Sequence, residues 1–135
     1  MGKVRPLNRH KYNISKHRFQ ELYHFCLQYG EWKDELNYKI DTVGSFKITG
    51  MPIHNGNVDA TQNLAVRRAI LEKNCKIIEE SAKEADPTIY PYIVKAVTEE
   101  LTFKYLKTVM GMPCGKDMYY DRRRKFYWIL DQKKL

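Results

Sequence analysis

The stretch TFKYLKTVMGMPCGKDMYYDRRRKFYWILDQKKL, residues 102–135, divides into a short apolar helix, a tight turn and a longer basic helix. Thr102 is the expected N-cap of the first helix, about Phe103 to Met110, and Gly111 can take the left-handed conformation that closes a helix C-terminus. Pro113 forbids simple continuation. Cys114 or Gly115 then begins the second helix, whose Asp117 meets the positive end of the helix dipole. In that helix Met118, Phe126, Ile129 and Leu130 fall roughly on one side at helical spacing and are expected to pack, while Lys116, Tyr120, Arg123 and Tyr127 line another. Arg122 lies nearer the packed side, its stem covered and its guanidinium reaching outward. A helix pair of this kind can present its second helix to a nucleic-acid groove. The candidate DNA contacts are Arg123 with Lys116 or Arg124 at base edges, Arg122 and Lys125 on phosphates, and Tyr119, Tyr120 and Tyr127 among them.

From Pro87 onward the chain resembles the C-terminal part of small phage regulators of the RinA and ArpU type, which itself resembles region 4 of sigma factors. The matching residues are Glu100 to Leu106 and Gly111 to Phe126, and the resemblance covers a little over a third of the chain. Lys107 stands where many helix-turn-helix units carry Ala, and one extra residue separates Gly111 from Met118. The resemblance implies a three-helix, helix-turn-helix unit that binds double-stranded DNA. A phage or prophage transcription regulator, working in the cytoplasm of a bacterial host cell, is therefore expected.

At 135 residues the chain is one domain, or a domain with an arm, and is long enough to bury a core. A hydrophobic content of 43%, with 13% aromatic, excludes wholesale disorder. The net charge of +8 favours an anionic partner, nucleic acid ahead of an acidic membrane surface. Cys26, Cys75 and Cys114 are odd in number and far apart, which suggests neither a disulfide framework nor a zinc knuckle and fits a reducing cytoplasm. No apolar run reaches membrane-spanning length, no signal peptide is visible, and Pro6 stands where a myristoylation signal wants Ser or Thr.

Three regions follow in order: a basic arm at 1–14, an N-terminal helical region at 15–86, and the helix-turn-helix region at 87–135. The arm is basic and free of acids, and Lys3, Arg5, Arg9 and Lys11 are its candidate contacts to the DNA backbone; a solubilising tail is the other reading. Ser15 or Asn13 can cap a helix to about Tyr29 with Phe19, Leu22, Tyr23 and Cys26 on one face. Gly30 interrupts it, and a second helical stretch from Glu31 to about Ile40 carries Trp32, Leu36 and Ile40. These aromatics read as core ahead of a base-stacking platform. Residues 41–58, with Gly44, Gly50, Pro52, Asn55, Gly56 and Asn57, read as a loop or at most a short hairpin. Asp59 can cap the longest helix, about 60–85, whose Leu64, Leu71 and Ile78 recur every seven residues. That seam suits packing on another helix of the chain or self-association into a homo-oligomer. Pro87 fits the first turn of the next helix, 88–99, with Ile89, Ile93, Ala96 and Val97 inward.

The sequence contains no phosphate-cradling glycine loop, no metal-spaced His/Cys cluster, no nucleophile motif and no compact acid set. An all-α DNA-binding protein without cofactor, metal or enzymatic activity is the expectation. Two alternatives remain. One is a small terminase subunit. The other is a phage adaptor or inhibitor that binds a host protein such as RNA polymerase or a nuclease through the Tyr- and Trp-rich surface.

Overall fold

The computed structural model describes residues 12–48 and 55–135, with side-chain environments at 12–38 and 60–135. Among the described residues the protein is all-α: α1 Lys16–Leu27, α2 Tyr29–Ile48, α3 Asn55–Ala85, α4 Tyr90–Glu99, α5 Phe103–Thr108 and α6 Lys116–Lys133. None of these helices is long and apolar enough to cross a membrane. The chain divides into two compact units, residues 12–28 with Ile77–Leu135, and Tyr29–Lys76.

Local chemistry explains most helix ends. The Ser15 hydroxyl accepts from the Arg18 N–H at 3.2 Å and caps α1, an interaction generally worth about 1 kcal/mol. α1 closes at Gln28, two residues before Gly30, and Gly30 itself lies within the first turn of α2. The expected loop at 41–58 is corrected at both ends, and 49–54 lie outside the described residues. Residues 41–48 continue α2 and 55–58 begin α3, which thus starts ahead of Asp59. A single Gly44 costs a helix only about 1 kcal/mol and does not end it, and the Phe46-Lys47-Ile48 alternation was too short to specify a strand. α4 starts at Tyr90 with Pro91, not Pro87, in its first turn. The chain before it is turned by Asp86, whose Oδ1 accepts from the N–H groups of Thr88 at 2.8 Å and Ile89 at 3.2 Å.

In the first unit α1 packs on both α4 and α6. Leu22, Cys26, Ile78, Ala82, Ile93, Leu106, Phe126, Tyr127 and Leu130 are closed to solvent. Phe19 meets the Tyr127 ring edge-on at 4.8 Å, and Phe126 meets it at 5.1 Å, the offset geometry that ring quadrupoles favour. Around this core Arg18 pairs with Asp131 at 2.6 Å and Lys133 with Glu84 at 2.6 Å. Tyr12 and Ile14 are buried too, with the Tyr12 ring 6.1 Å from that of Trp128. Tyr12 and Ile14, expected to belong to the arm at 1–14, are thus packed. Lys3, Arg5, Arg9 and Lys11 lie outside the described residues.

In the second unit Trp32 and Leu71 are buried. Arg67 reaches Glu35 through two nitrogens at 2.5 and 2.9 Å, and Arg68 donates to the Leu36 carbonyl at 3.1 Å. Val66 and Ile70, one turn apart on α3, are exposed.

Candidate nucleic-acid interface and the adjoining cleft

The helix pair at 103–133 is locally well specified. Thr102 caps α5, its hydroxyl accepting from the Tyr105 N–H at 3.1 Å. Gly111 sits at φ +69°, the left-handed region where a side chain is strained. The Met112 N–H then turns back to the Leu106 carbonyl at 3.0 Å, and Met112 and Cys114 are buried beneath the turn. Lys107 ties the turn together. Its ammonium donates to the carbonyls of Met112 at 3.2 Å and Cys114 at 3.1 Å, fastening both sides of Pro113. Gly115 is the extended N-cap of α6, and Asp117 lies in the first turn.

The rotation of α6 differs from the sequence expectation. Phe126, Ile129 and Leu130 face inward as expected, but Met118 is 42% exposed while Tyr119 and Tyr127 are 2% and 0% exposed. The buried stripe runs through Tyr119, Phe126 and Leu130, and it draws in Tyr127 because the ring is worth more buried than the hydroxyl costs. Tyr119 and Tyr127 are therefore removed from the candidate DNA contacts. Burial pushes the Tyr119 phenol up to about 12 and the Tyr127 phenol higher still, with Arg123 opposing both shifts.

The basic residues of α6 separate into two groups. Arg122 is corrected from a phosphate contact to an internal one. It pairs with Asp86 at 3.1 Å and Asp121 at 2.6 Å, tying α6 to the turn before α4. Burial raises the Asp86 pKa, but the Thr88 and Ile89 N–H groups and Arg122 together bring it below the usual carboxylate value. Arg123 is also corrected. It is half-buried with its guanidinium 5.6 Å from the centre of the Tyr127 ring, and it lines a cleft instead of the outward face. Lys116 is exposed, Arg124 and Lys125 are half-buried, and the three make no ion pair among the described residues. At helical spacing Arg124, Lys125 and exposed Trp128 lie opposite the Tyr119, Phe126 and Leu130 stripe.

The cleft, about 360 Å³, opens between the α4–α5 connection and α6 and is lined by Tyr23, Glu100, Phe103, Tyr119, Tyr120 and Arg123 among others. Phe103 lies 5.8 Å from Tyr119 and 6.3 Å from Tyr120, ring to ring. The Tyr23 hydroxyl donates to the Glu100 carboxylate. Its phenol is pushed up to about 12, first by burial and then by that hydrogen bond. Sequence reasoning missed Glu100, Tyr23 and Asp86 as interacting groups. Their partners lie 77 and 36 residues away, beyond any local pattern.

Among the described residues no group of three His, Cys, Asp or Glu side chains could hold a metal ion, and all three cysteines are free and buried. No protein-family model, no curated protein and no solved structure matches this chain.

Proposed function

We propose that this protein binds double-stranded DNA through α5, the Gly111–Gly115 turn and α6, and that it acts as a transcription regulator of the phage type its C-terminal stretch resembles. The observation that carries the reading is the fate of the charges in residues 102–135. Nine Lys or Arg stand there against three acids. Of those acids, Asp121 is held by Arg122 and Asp131 by Arg18. Asp117, the third acid, lies in the first turn of α6, and Lys116, Arg124 and Lys125 make no ion pair among the described residues, while Lys104 on α5 is exposed as well. Uncompensated cations along a helix are what phosphate contact and counterion release require.

In this reading Lys116, Tyr120 and Arg124 approach base edges and Lys125 with Lys104 contacts phosphates. Fluorescence anisotropy on duplexes selected from a random pool, repeated across salt concentrations, tests it. Replacing Lys104 and Lys125 together by Ala is expected to lower the log-log salt slope by about 2, at about 0.9 per phosphate contact. Loss of preference for the selected duplex is expected to come mainly from Arg124, at about 1 to 3 kcal/mol. Absence of duplex binding at low salt overturns the proposal.

A protein partner is the second reading, favoured by exposed Tyr105, Val109 and Met118 on the same helix pair. Retention of a host protein such as RNA polymerase, with no duplex bound at low salt, would favour it.

A further inference from the structure

The cleft beside α6 contains one cation and one anion that do not satisfy each other. Arg123 and Glu100 both line it, yet they form no ion pair, which places their charged atoms more than 4.0 Å apart. Arg123 has no carboxylate partner among the described residues, and Glu100 has only the Tyr23 hydroxyl. Between them Phe103, Tyr119 and Tyr120 form an aromatic wall, with the Tyr119 and Tyr120 rings 5.0 Å apart.

Glu100 also sits in a costly backbone position. It follows α4 at φ 55° and ψ 40°, the left-handed conformation that a helix end ordinarily gives to glycine. The Leu101 N–H closes the same helix end on the Ala96 carbonyl at 3.2 Å, so the position is fixed by the backbone. Strain of this kind is held where a side chain is needed. Here it turns a carboxylate into the cleft.

We infer that this cleft binds a zwitterionic amino acid with an aromatic side chain. The ligand carboxylate meets Arg123, its ammonium meets Glu100, and its ring lies against Phe103 and Tyr120. An α-amino acid carries both charges on one carbon, so it bridges an acid and a guanidinium that do not touch each other. Charge-assisted hydrogen bonds at both ends orient the ligand, and the rings supply apolar contact. The formal charges of the lining residues cancel, which disfavours nucleotides and other phosphates. A volume near 360 Å³ lies within the range of small-molecule sites. The inference shares Tyr120 with the proposed DNA interface but does not rest on DNA binding.

Isothermal titration calorimetry of the full chain without DNA tests it, with L-tryptophan, L-tyrosine and L-phenylalanine as ligands. Indole-3-propionate lacks the ammonium, tryptamine lacks the carboxylate, L-leucine lacks the ring, and guanosine presents a neutral planar base. Saturable binding of at least one aromatic amino acid is expected, with each single-charge analogue weaker by about tenfold or more. Glu100→Gly is expected to keep the fold, since glycine relieves the left-handed backbone, and to lose the ligand. Arg123→Met is expected to do the same. Thermal melts followed by circular dichroism establish folding, and the analogue series on the unaltered chain decides the matter even where a variant unfolds. The inference is overturned if no aromatic amino acid binds at millimolar concentration, if guanosine or a single-charge analogue binds as tightly, or if both folded variants bind undiminished.

Discussion

Around Phe126 the chain buries ring against ring, with Phe19, Leu22, Ile93, Tyr127 and Leu130 all buried. Between Tyr29 and Lys76, by contrast, Val66 and Ile70 stand 59% and 53% exposed, and the links between α2 and α3 include the solvent-facing Arg67–Glu35 pair. Apolar burial contributes about 25 cal/mol per Å², whereas an exposed ion pair adds little because water and salt screen it. The first unit is therefore expected to carry most of the stability of the protein, and substitutions of similar size should have very different effects in the two units.

The largest effect is expected from Phe126→Ala. Removing a ring with no exposure should cost about 3 to 5 kcal/mol, read as a fall in the urea midpoint. A variant as stable as its parent would show that the ring is not enclosed. Next comes Asp86→Ala, which removes the oxygen that accepts from two N–H groups and leaves Arg122 with Asp121 alone. About 2 to 3 kcal/mol is expected, less than a fully buried pair because Arg122 is partly exposed.

The same carboxylate sets a pH dependence. Its folded pKa lies below its ordinary value of 3.8, so the stabilisation is fully present above that value and is lost as pH falls through the folded pKa. Melting temperature followed through acid pH should show an extra loss in the parent chain that Asp86→Ala lacks. Parallel curves would remove Asp86 from the account.

Lys107→Ala is a smaller perturbation, about 1 kcal/mol for two carbonyls that can turn to water. Its sharper readout is amide exchange, since protection of the Met112 N–H should fall while that of Leu130 does not. In the second unit Ile70→Ala should stay within about 0.5 kcal/mol of the parent. Arg67→Ala should leave the melt unchanged at moderate salt. A large loss at either position would show that the Tyr29–Lys76 unit is held more tightly than its exposure indicates.

The legible parts of the fold are those decided within a few residues. Ser15, Thr102 and Gly111 mark helix ends because a hydroxyl or a missing Cβ acts on the adjacent backbone. The faces of α1 and α4 were legible too, since their apolar residues recur at helical spacing between polar ones. Residues 41–48 and 55–58 were not legible as helix because Gly44, Gly56 and the neighbouring Asn residues mimic turn chemistry that a long helix tolerates. In the candidate interface the cations were legible as a cluster, but their individual roles were not. Tyr119, Tyr120, Phe126, Tyr127 and Trp128 place aromatic rings on nearly every side of α6, so periodicity alone cannot choose the buried one.

By itself the sequence determined a helical fold class, the positions of most helices and turns, and an excess of positive charge concentrated in residues 1–18 and after Thr102. Only the tertiary structure decided which of those charges remain uncompensated, because that depends on acids distant along the chain. Asp86 takes Arg122 across 36 residues, and the Arg18–Asp131 pair spans 113. Packing likewise set the rotation of α6 and brought Tyr23 and Glu100 to the cleft beside Arg123. Helix formation is decided by neighbours within a turn, whereas the pairing of charges and rings is decided by whichever surfaces the folded helices bring together.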